Sequence, residues 1–285
     1  MARPDLRPMT EADVGPAAAL LERGDWGPVE ARSAFFTFAV RQPNCDSLVA
    51  DLDGELVGTG VGTANGSAGW VGTIFVDAAH RGGGLGRALT EAVIDRLESR
   101  GCSTLVLVAT TLGRPIYDRL GFDVQSWYVI HEAPGIDGGD DRTAGRIRPV
   151  TTSDLDAMAA LDLTATGEDR SDMLAALVGT SDDAGWTLRA PDGDLDGFVL
   201  RPPWGGGATI ARTFDAATSI LRHRRERAGP DRRVRAGVLA ENVAGIDWLK
   251  ASGWSEAWRA VRMARGAPLD LRPEMIWGQF NFALG

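Results

Sequence analysis

The chain has 285 residues, with 39 acidic and 30 basic side chains, a formal net charge of −9 and 44 % hydrophobic residues. At about 100 to 200 residues per domain, this length predicts two domains, and the composition excludes a disordered or collagen-like chain. The acidic balance argues against nucleic acid or an anionic membrane surface as a partner, because both recruit basic patches.

Cysteine, histidine and lysine exclude further classes of protein. Cys45 and Cys102 are too few for a disulfide framework or a thiolate metal cage, which fits a reducing compartment. The three histidines show no ligand spacing and Lys250 does not close a glycine loop, so we expect no metal site and no P-loop. The N-terminal segment lacks the apolar run of a signal peptide and no apolar stretch reaches transmembrane length, so we expect a cytoplasmic protein.

The hydrophobic pattern of the first 132 residues predicts a strand and a helix, then a β-meander, then a βαβαβ order. The Asp53-Gly54 pair between two strand-like runs is a strong hairpin signal, and Leu89, Val93 and Leu97 fall on one face of a helix. The predicted strands cover residues 5–8, 47–51, 55–63, 70–76, 105–110 and 122–132, and the predicted helices start at Thr10 and cover 85–99 and 113–121.

An internal repeat divides the chain into two copies. Its offsets of 141, 139 and 132 are nearly constant, which predicts a duplicated domain of about 130 residues. The matching segments are LRPMTEADVGPAAAL (6–20) with IRPVTTSDLDAMAAL (147–161), 53–58 with 192–197, and 120–122 with 252–254.

A Gly- and Asp-rich stretch between the two copies reads as a linker. We therefore predict a first domain at residues 1–133, a linker at 134–145 and a second domain at 146–285.

A glycine-rich loop, HRGGGLGRAL, lies between the predicted strand ending at Val76 and the helix starting at Leu85. Its glycines allow the backbone to approach a ligand closely, and the helix N-terminus directs free N–H groups toward it. Charge-assisted hydrogen bonds of about 1.5–3 kcal/mol each exceed the helix-dipole contribution of about 1 kcal/mol, so N–H geometry should dominate. The loop predicts a phosphate ligand, although its glycine spacing does not fit a dinucleotide fingerprint.

The spacing R-x-x-G-x-G, formed here by Arg81, Gly84 and Gly86, resembles the pyrophosphate loop of the GNAT superfamily of acyl-CoA-dependent N-acyltransferases. The run GRPIYDRLGF at 113–122 resembles a second signature of that superfamily, in the expected order. The resemblance covers residues 1–132 well and the later half in outline. It implies an α+β fold of two tandem GNAT-like domains, each a mixed, mostly antiparallel twisted sheet flanked by helices.

The resemblance also implies which residues bind acetyl-CoA as co-substrate, with no metal. Tyr117 stands where the family often places a general acid for the leaving thiolate, and a phenol stays protonated at neutral pH and can donate to a thiolate. Backbone groups of the strand should pair with the pantetheine arm, and N–H groups of the loop should hold the pyrophosphate. The residues so assigned are Ile74, Phe75 and Val76 in the strand and Arg81, Gly82, Gly83, Gly84, Leu85, Gly86 and Arg87 in the loop.

The general base is where the sequence departs from the family pattern. Many relatives place a glutamate on the strand before the loop, whereas WVGTIFV carries no carboxylate. An alkylamine is neutral only about once in 10³ at pH 7, so its deprotonation costs about 4–5 kcal/mol unless the site helps. The candidates are Asp77, Asp25, Glu30 and a water chain held by backbone carbonyls and Thr73, and the choice among them stays open. We interpret His131 as a structural residue.

The second copy lacks both signatures. After the strand ATIARTF the chain reads DAATSILRHRRER without glycine, and Leu249 takes the place of Tyr117. We therefore interpret residues 146–285 as a degenerate GNAT-like domain that completes the acceptor pocket or the fold. The arginine-rich run at 222–235 contains acidic residues and is interpreted as a solvated helix end and loop. The apolar stretch at 275–285 is predicted to pack as a strand.

These features predict an N-acetyltransferase that moves an acetyl group from acetyl-CoA to a primary amine by direct transfer. The acceptor is left open between a small-molecule amine and a peptide amine, and a homodimer is left open as the assembly. The alternative is a non-catalytic acyl-CoA-binding or sensor module, which the missing carboxylate favours.

Overall fold

The computed structural model describes residues 3–138, 146–180 and 184–285, so residues 139–145 of the predicted linker lie outside the described residues. The first half contains β1 (Asp5–Pro8), α1 (Val14–Glu22), α2 (Val29–Arg41), β2 (Cys45–Leu52), β3 (Glu55–Asn65), β4 (Ala68–Val76), α3 (Leu85–Ser99), β5 (Thr104–Ala109), α4 (Arg114–Arg119) and β6 (Asp123–Pro134). The second half contains β7 (Ile147–Pro149), α5 (Leu155–Thr166), α6 (Ser171–Val178), β8 (Gly185–Arg189), β9 (Leu195–Leu200), β10 (Ala208–Ala211), α7 (Phe214–Ala228), β11 (Arg233–Leu239), α8 (Val243–Ala251), β12 (Ser255–Gly266) and β13 (Ile276–Gly278).

The predicted fold class is confirmed. β4 and β5 pair in parallel, and the other strand pairs of the described residues are antiparallel. The elements predicted in the first half are present to within a few residues, and α3 begins and ends where predicted. No helix in the described residues is long and apolar enough to cross a membrane.

The strand predicted for residues 275–285 is wrong beyond β13, which covers only three residues. The chain after it closes into a turn, here called the C-terminal turn (Phe280–Gly285). Asn281 Oδ1 accepts hydrogen bonds from the N–H groups of Ala283 at 2.7 Å and Leu284 at 2.9 Å. This side chain offers the backbone a local alternative to strand pairing. The apolar side chains are nevertheless buried, as their composition predicts.

The repeat in the sequence is also a repeat in structure. Arg7 donates to Asp13 through both terminal nitrogens at 2.8 Å, and Asp13 accepts from the backbone N–H of Thr10 at 2.8 Å. The bonds from Arg7, which are the largest cause, hold the pKa of Asp13 well below its usual range. The same three residue types form the same contacts 141 positions later, as Arg148, Thr151 and Asp154.

Strands of the two halves interleave at one end of the larger sheet. The larger sheet has the order β1-β2-β3-β4-β5-β12-β6-β11, so β12 of the second half lies between β5 and β6 of the first. β6 in turn lies between β12 and β11, both from the second half. A smaller sheet of order β13-β10-β9-β8-β7 belongs to the second half alone. The predicted linker separates the halves along the chain, but the larger sheet runs through both.

Three hydrophobic cores follow from this arrangement. The largest joins α1 and α2 of the first half to α5 and α6 of the second, and it includes Phe35, Leu161 and Tyr128. A second core lies under α3 and α4, and the third lies under α7 and α8. Leu89 and Val93 anchor α3 in the second core, so that the N-terminus of this helix is held beside the end of β4.

A buried polar cluster joins the two halves. Glu168 is 2 % exposed and accepts hydrogen bonds from Trp70 Nε1 at 2.7 Å and Asn65 Nδ2 at 3.1 Å, both in the first half. Arg262 of β12 lies over the Trp70 ring, donates to Tyr128 Oη at 3.0 Å and approaches Glu168 to 4.0 Å. Charges this deeply buried are tolerated only with such partners, so the cluster fixes how the halves fit together.

We expect Glu168→Gln to destabilise the protein by about 3–5 kcal/mol, because it leaves the Arg262 charge buried without its counter-charge. Glu98→Gln is the matched control. Glu98 is exposed and pairs with Arg265 at the surface, so its loss should cost about 0–1 kcal/mol. Urea unfolding midpoints measure the difference, and equal midpoints for the two variants would show that the cluster does not stabilise the fold.

His131 is fully buried on β6, and neither ring nitrogen forms a hydrogen bond of standard geometry with the described residues. Burial lowers the pKa of His131, and the nearby carboxylate of Glu256 does not reverse this effect. Lys250 and Arg259 act in the same direction as burial. The His131 ring is therefore neutral in the folded protein at physiological pH and packs in the protein interior as an uncharged side chain.

Protonation of His131 should destabilise the fold as the pH falls. Because its folded pKa is lowered, the stabilising contribution is present above the unfolded pKa of about 6.5 and is lost below it, where the unfolded chain binds the proton more readily. We expect the melting temperature to fall more between about pH 7.5 and about pH 5.5 in the wild type than in His131→Leu. Equal decreases in the two proteins would contradict this assignment.

Candidate active site

Strand β4 carries a bulge in the middle of the sheet. Its register with β3 shifts between Val61, which lies opposite Gly72, and Thr59, which lies opposite Phe75. Thr73 adopts a left-handed φ of +52°, which is rare for a β-branched residue. The Thr73 carbonyl accepts a hydrogen bond from Thr59 Oγ1 at 2.9 Å. Bulges of this kind redirect backbone groups and are common beside active sites.

The bulge coincides with the point at which β4 and β5 separate. The two strands pair in parallel from Ala68 and Thr104 to Val71 and Leu107, and no pairing in the described residues continues beyond. The edge of β4 over residues 72–76 that faces away from β3 therefore has no strand partner. Ligands bind where the carboxyl ends of neighbouring parallel strands diverge, so this opening is the first part of a candidate site.

The three strand residues predicted to contact the pantetheine arm, Ile74, Phe75 and Val76, lie at this opening. Arg81 Nε already donates to the Val76 carbonyl at 2.9 Å, so that carbonyl has a protein partner in this structure. The Arg81 guanidinium also lies 5.8 Å from the centre of the Phe75 ring. Arg81 thus fastens the glycine loop to the end of β4 in addition to its predicted contact with the pyrophosphate.

The loop before α3 presents a row of unpaired backbone donors. None of the N–H groups from Gly82 to Arg87 donates to an acceptor in the described residues, whereas Ala88 N–H donates to the Gly84 carbonyl at 3.0 Å. Gly82 and Gly84 both adopt a φ of +84°, which glycine tolerates without strain. The space around Gly82, Gly83 and Gly84 is open. Six successive free N–H groups at a helix N-terminus are an arrangement that binds anions.

The counterpart of α3 in the second half, α7, is capped by a side chain at its N-terminus. Thr213 Oγ1 accepts from the N–H of Ala216 at 3.2 Å, so this side chain takes up one of the N–H groups with which an anion would pair. Asp215 adds a negative charge in the first turn, which stabilises the helix and repels a phosphate. The missing glycines of the second copy are therefore accompanied by a self-capped helix.

The cleft of the second half is filled by the chain itself. β10 and β11, the counterparts of β4 and β5, do not pair with each other in the described residues. β13 pairs with β10 instead, with Thr209 opposite Gly278, and Gln279 Nε2 donates to the Gly237 carbonyl on β11 at 3.0 Å. Trp277 is fully buried in this position. The gap that stays open in the first half is thus occupied in the second.

Tyr117 lies on α4, beside the glycine loop, and its neighbour Ile116 is close enough to Gly86 that an added Cβ would lie 3.5 Å from it. The Tyr117 ring is 8 % exposed and packs edge-on against Phe122, with ring centres 6.2 Å apart. Burial raises the pKa of Tyr117 to about 12. The hydroxyl forms no hydrogen bond with the described residues and is not among the buried unpaired atoms, so it reaches solvent. Its proton is therefore retained at neutral pH and free to be donated.

Among the acidic candidates for general base, Asp77 is already engaged. Its Oδ1 accepts from the N–H of Ala79 at 2.9 Å, and its Oδ2 lies 3.5 Å from the Arg23 guanidinium. Asp25 and Glu30 are exposed and form no ion pair with the described residues. Both therefore keep an unshared carboxylate.

The α1–α2 loop (residues 23–28) brings Asp25 to the end of β4. Trp26 packs edge-on against Phe75 with ring centres 5.6 Å apart, and the Gly24 backbone lies against the same ring. Asp25 itself adopts a left-handed φ of +59°. The structure thus places this carboxylate in a loop that covers the candidate site, whereas Glu30 lies in the first turn of α2.

The second half contributes residues that the sequence analysis did not identify. The C-terminal turn lies against β4 at the bulge, where a Cβ added to Gly72 would be 2.4 Å from Ala283. Phe282 packs against Tyr128 and Trp258, with ring centres 5.4 and 5.6 Å apart. The apolar composition of the last segment signals its burial, but no feature of the sequence indicates that it lies on β4.

Comparisons with known proteins agree with this geometry. The sequence profile of the Acetyltransferase (GNAT) family matches residues 16–122, and a profile of the Acetyltransferase (GNAT) domain matches residues 158–278. The chain is 26 % identical over 188 residues to YitH of Bacillus subtilis (strain 168), which is named an uncharacterized N-acetyltransferase. The match covers 65 % of each protein, so the chain spans slightly less than two thirds of this relative.

Solved structures share the fold over nearly the whole chain. A proposed acetyltransferase from Pyrococcus horikoshii matches with a TM-score of 0.85 at 20 % identity, covering 100 % of this chain and 97 % of the other. A GCN5-related N-acetyltransferase from Sphaerobacter thermophilus matches with a TM-score of 0.65 at 16 % identity, covering 95 % and 99 %. A tandem GNAT protein from the clavulanic acid biosynthesis pathway matches with a TM-score of 0.61 at 14 % identity, covering 94 % of this chain and 100 % of the other.

At these identities the structures establish the fold, and the two profile matches establish the family of both halves. Among the described residues no group of three or more His, Cys, Asp or Glu side chains is placed to hold a metal ion. The two matched profiles show that the chain belongs to the GNAT superfamily of acetyltransferases, in its tandem form.

Proposed function

We propose that the first half binds acetyl-CoA and transfers its acetyl group to a primary amine. The observation that carries this proposal is the row of six unpaired N–H groups from Gly82 to Arg87, directly beside the open edge of β4. A diphosphate on these N–H groups would direct the attached pantetheine arm along residues 74–76. The residues from Ile74 to Val76 and from Arg81 to Arg87, assigned from the sequence, are proposed to bind the co-substrate together.

The second half is proposed to support this site without binding the co-substrate. The self-capped N-terminus of α7 and the filling of its cleft by β13 support this division of roles. The second half supplies β12 beside β5 and the C-terminal turn beside β4. The α1–α2 loop covers the end of β4 and the C-terminal turn lies on β4 at the bulge. This coverage supports a small-molecule amine as acceptor over an extended peptide.

In the proposed reaction, the neutral amine attacks the carbonyl carbon of the thioester and forms a tetrahedral intermediate. Collapse of this intermediate breaks the C–S bond, and Tyr117 donates its proton to the leaving thiolate, whose conjugate acid has a pKa of about 8.5. Such a donor contributes about 10²- to 10⁴-fold to the rate. The proton lost by the amine passes to a base, for which Asp25, Glu30 and a water chain at Thr73 remain candidates.

A carboxylate introduced into the loop should repel the diphosphate. Gly83→Glu is expected to weaken acetyl-CoA binding at least about tenfold, and Gly83 has open surroundings and no left-handed φ, so the loop can accept the side chain. Gly15→Glu is the matched control, because Gly15 is an exposed glycine with equally open surroundings on α1. Isothermal titration calorimetry measures the acetyl-CoA affinity of both variants. Unchanged affinity in Gly83→Glu would show that the diphosphate does not lie on this loop.

Removal of the proposed acid should slow the chemical step. Tyr117→Phe keeps the buried ring and is expected to lower kcat at least about tenfold while the KM for acetyl-CoA changes little, since the hydroxyl acts on the leaving group only. Steady-state release of the CoA thiol measures both constants. An unchanged kcat would remove Tyr117 from the reaction, and a rise in KM alone would assign it to binding.

A non-catalytic acyl-CoA-binding or sensor module remains the second candidate, and a specific observation favours it. β4 carries no carboxylate, and Asp77 is committed to Ala79 and Arg23. Thiol release from acetyl-CoA across a panel of amines distinguishes the two functions. Binding without turnover on any amine would favour the sensor, whereas turnover on one amine would exclude it.

A further inference from the structure

The second half contains a buried guanidinium that lacks a carboxylate partner. Arg224 of α7 is 8 % exposed, and no carboxylate of the described residues lies within ion-pair distance of it. Its Nη1 donates to Thr209 Oγ1 at 3.4 Å, a long contact, and its Nε and Nη2 form no hydrogen bond with the described residues. These two nitrogens are not among the fully buried unpaired atoms. They therefore face a space that solvent enters.

A second positive charge, that of Arg201, acts on Arg224. Burial and the charge of Arg201 lower the pKa of Arg224 to about 10, so the group is still charged at neutral pH. The guanidinium groups of Arg201 and Arg227 lie 5.3 and 5.6 Å from the centre of the Trp186 ring, and His223 packs edge-on against this ring at 5.1 Å. A buried cation among like charges is unfavourable unless an anion compensates it.

The loop between β9 and β10 passes the Arg224 guanidinium at Gly207. A Cβ added to Gly207 would lie 2.8 Å from Arg224 Nη2, so only glycine allows the guanidinium to lie this close to the backbone. Gly205 and Gly206 both adopt a φ of +91°. The N–H groups of Gly206 and Gly207 donate to no acceptor in the described residues.

We propose that Arg224 and the N–H groups of Gly206 and Gly207 bind a small phosphate-like oxyanion. A guanidinium presents paired donors that match phosphate geometry, and backbone N–H groups complete such sites. The site is separate from the glycine loop of the first half and makes no use of acetyl-CoA.

The position of the site connects it to the first half. Trp204, in the same loop, packs against Phe35 and Phe38 of α2 with ring centres 5.6 and 5.0 Å apart. Its indole Nε1 donates to the Phe280 carbonyl at 3.3 Å, at the start of the C-terminal turn. An oxyanion bound at Gly206 and Gly207 would therefore order a loop that contacts both α2 and the turn beside β4.

The test uses a background in which the first glycine loop cannot bind phosphate. In the full-length Gly83→Glu protein, at constant ionic strength, inorganic phosphate is titrated by calorimetry against the parent, Arg224→Met and Arg222→Met. Arg222 is an exposed arginine of the same helix and controls for the loss of one charge. We expect Arg224→Met to weaken phosphate binding at least about tenfold and Arg222→Met to change it less than about twofold.

A melting series separates binding from packing. Without phosphate, Arg224→Met should melt at or above the melting temperature of the parent, since it removes an uncompensated buried charge. With phosphate, the melting temperature should rise only in the parent and in Arg222→Met. Competition by glycerol phosphate would assign the site to phosphate esters, and its failure to compete would assign it to the free ion.

Three outcomes would overturn the proposal. These are no phosphate binding by the parent, equal binding by Arg224→Met, or an equal loss of melting temperature with and without phosphate, which would make Arg224 a packing residue. If Arg224→Met does not fold, Gly207→Ala replaces it, because the added methyl group displaces the guanidinium without removing the charge. Unchanged phosphate affinity in Gly207→Ala would also overturn the proposal.

Discussion

The exchange of β6 and β12 between the halves is the constraint on which the rest of the structure depends. β5 pairs with β12 from Thr104 to Ala109, so the strand beside the candidate cleft is completed by the second half. Without β12, β5 would present an unpaired edge to solvent. The second half is therefore an integral part of the larger sheet, and this gives it a structural role that does not depend on a cofactor cleft of its own.

Once the sheet is shared, the two copies are free to differ at their ligand-binding ends. Both begin with the same Arg–Thr–Asp arrangement, in which Asp13 and Asp154 accept from an arginine and a backbone N–H. They diverge at the helix that follows the fourth strand. Every helix N-terminus leaves N–H groups to be satisfied. In α7, Thr213 satisfies one of them, whereas the N–H groups at the start of α3 have no acceptor in the described residues. The same physical requirement is thus met by a side chain in one half and left open in the other.

Local features of the sequence predicted the local features of the structure. The spacing of Leu89, Val93 and Leu97 predicted α3, and the Asp53-Gly54 pair predicted the β2–β3 turn, where both residues adopt positive φ. Each of these signals lies within a few residues of the element that it specifies, which is why periodicity and turn chemistry suffice.

Long-range features had no comparable signal. The insertion of β12 between β5 and β6 depends on pairing between residues far apart in the chain, and β strands that suit one neighbour suit another equally well. The same holds for the C-terminal turn against Gly72, and for the bulge at Thr73, whose left-handed φ contradicts the preference of a β-branched residue. The glycine loop and Tyr117 of the candidate site could be predicted from the sequence, whereas the residues on the acceptor side of the site could not.

We propose that the free N–H groups before α3 hold the diphosphate of acetyl-CoA. Titration of acetyl-CoA into protein labelled with ¹⁵N-glycine, followed by amide resonances, measures this binding residue by residue. We expect the resonances of Gly82, Gly83, Gly84 and Gly86 to move strongly on binding, while those of Gly205 and Gly206 in the second half stay in place. Saturable binding of acetyl-CoA that leaves the first four resonances unmoved would show that the diphosphate lies elsewhere.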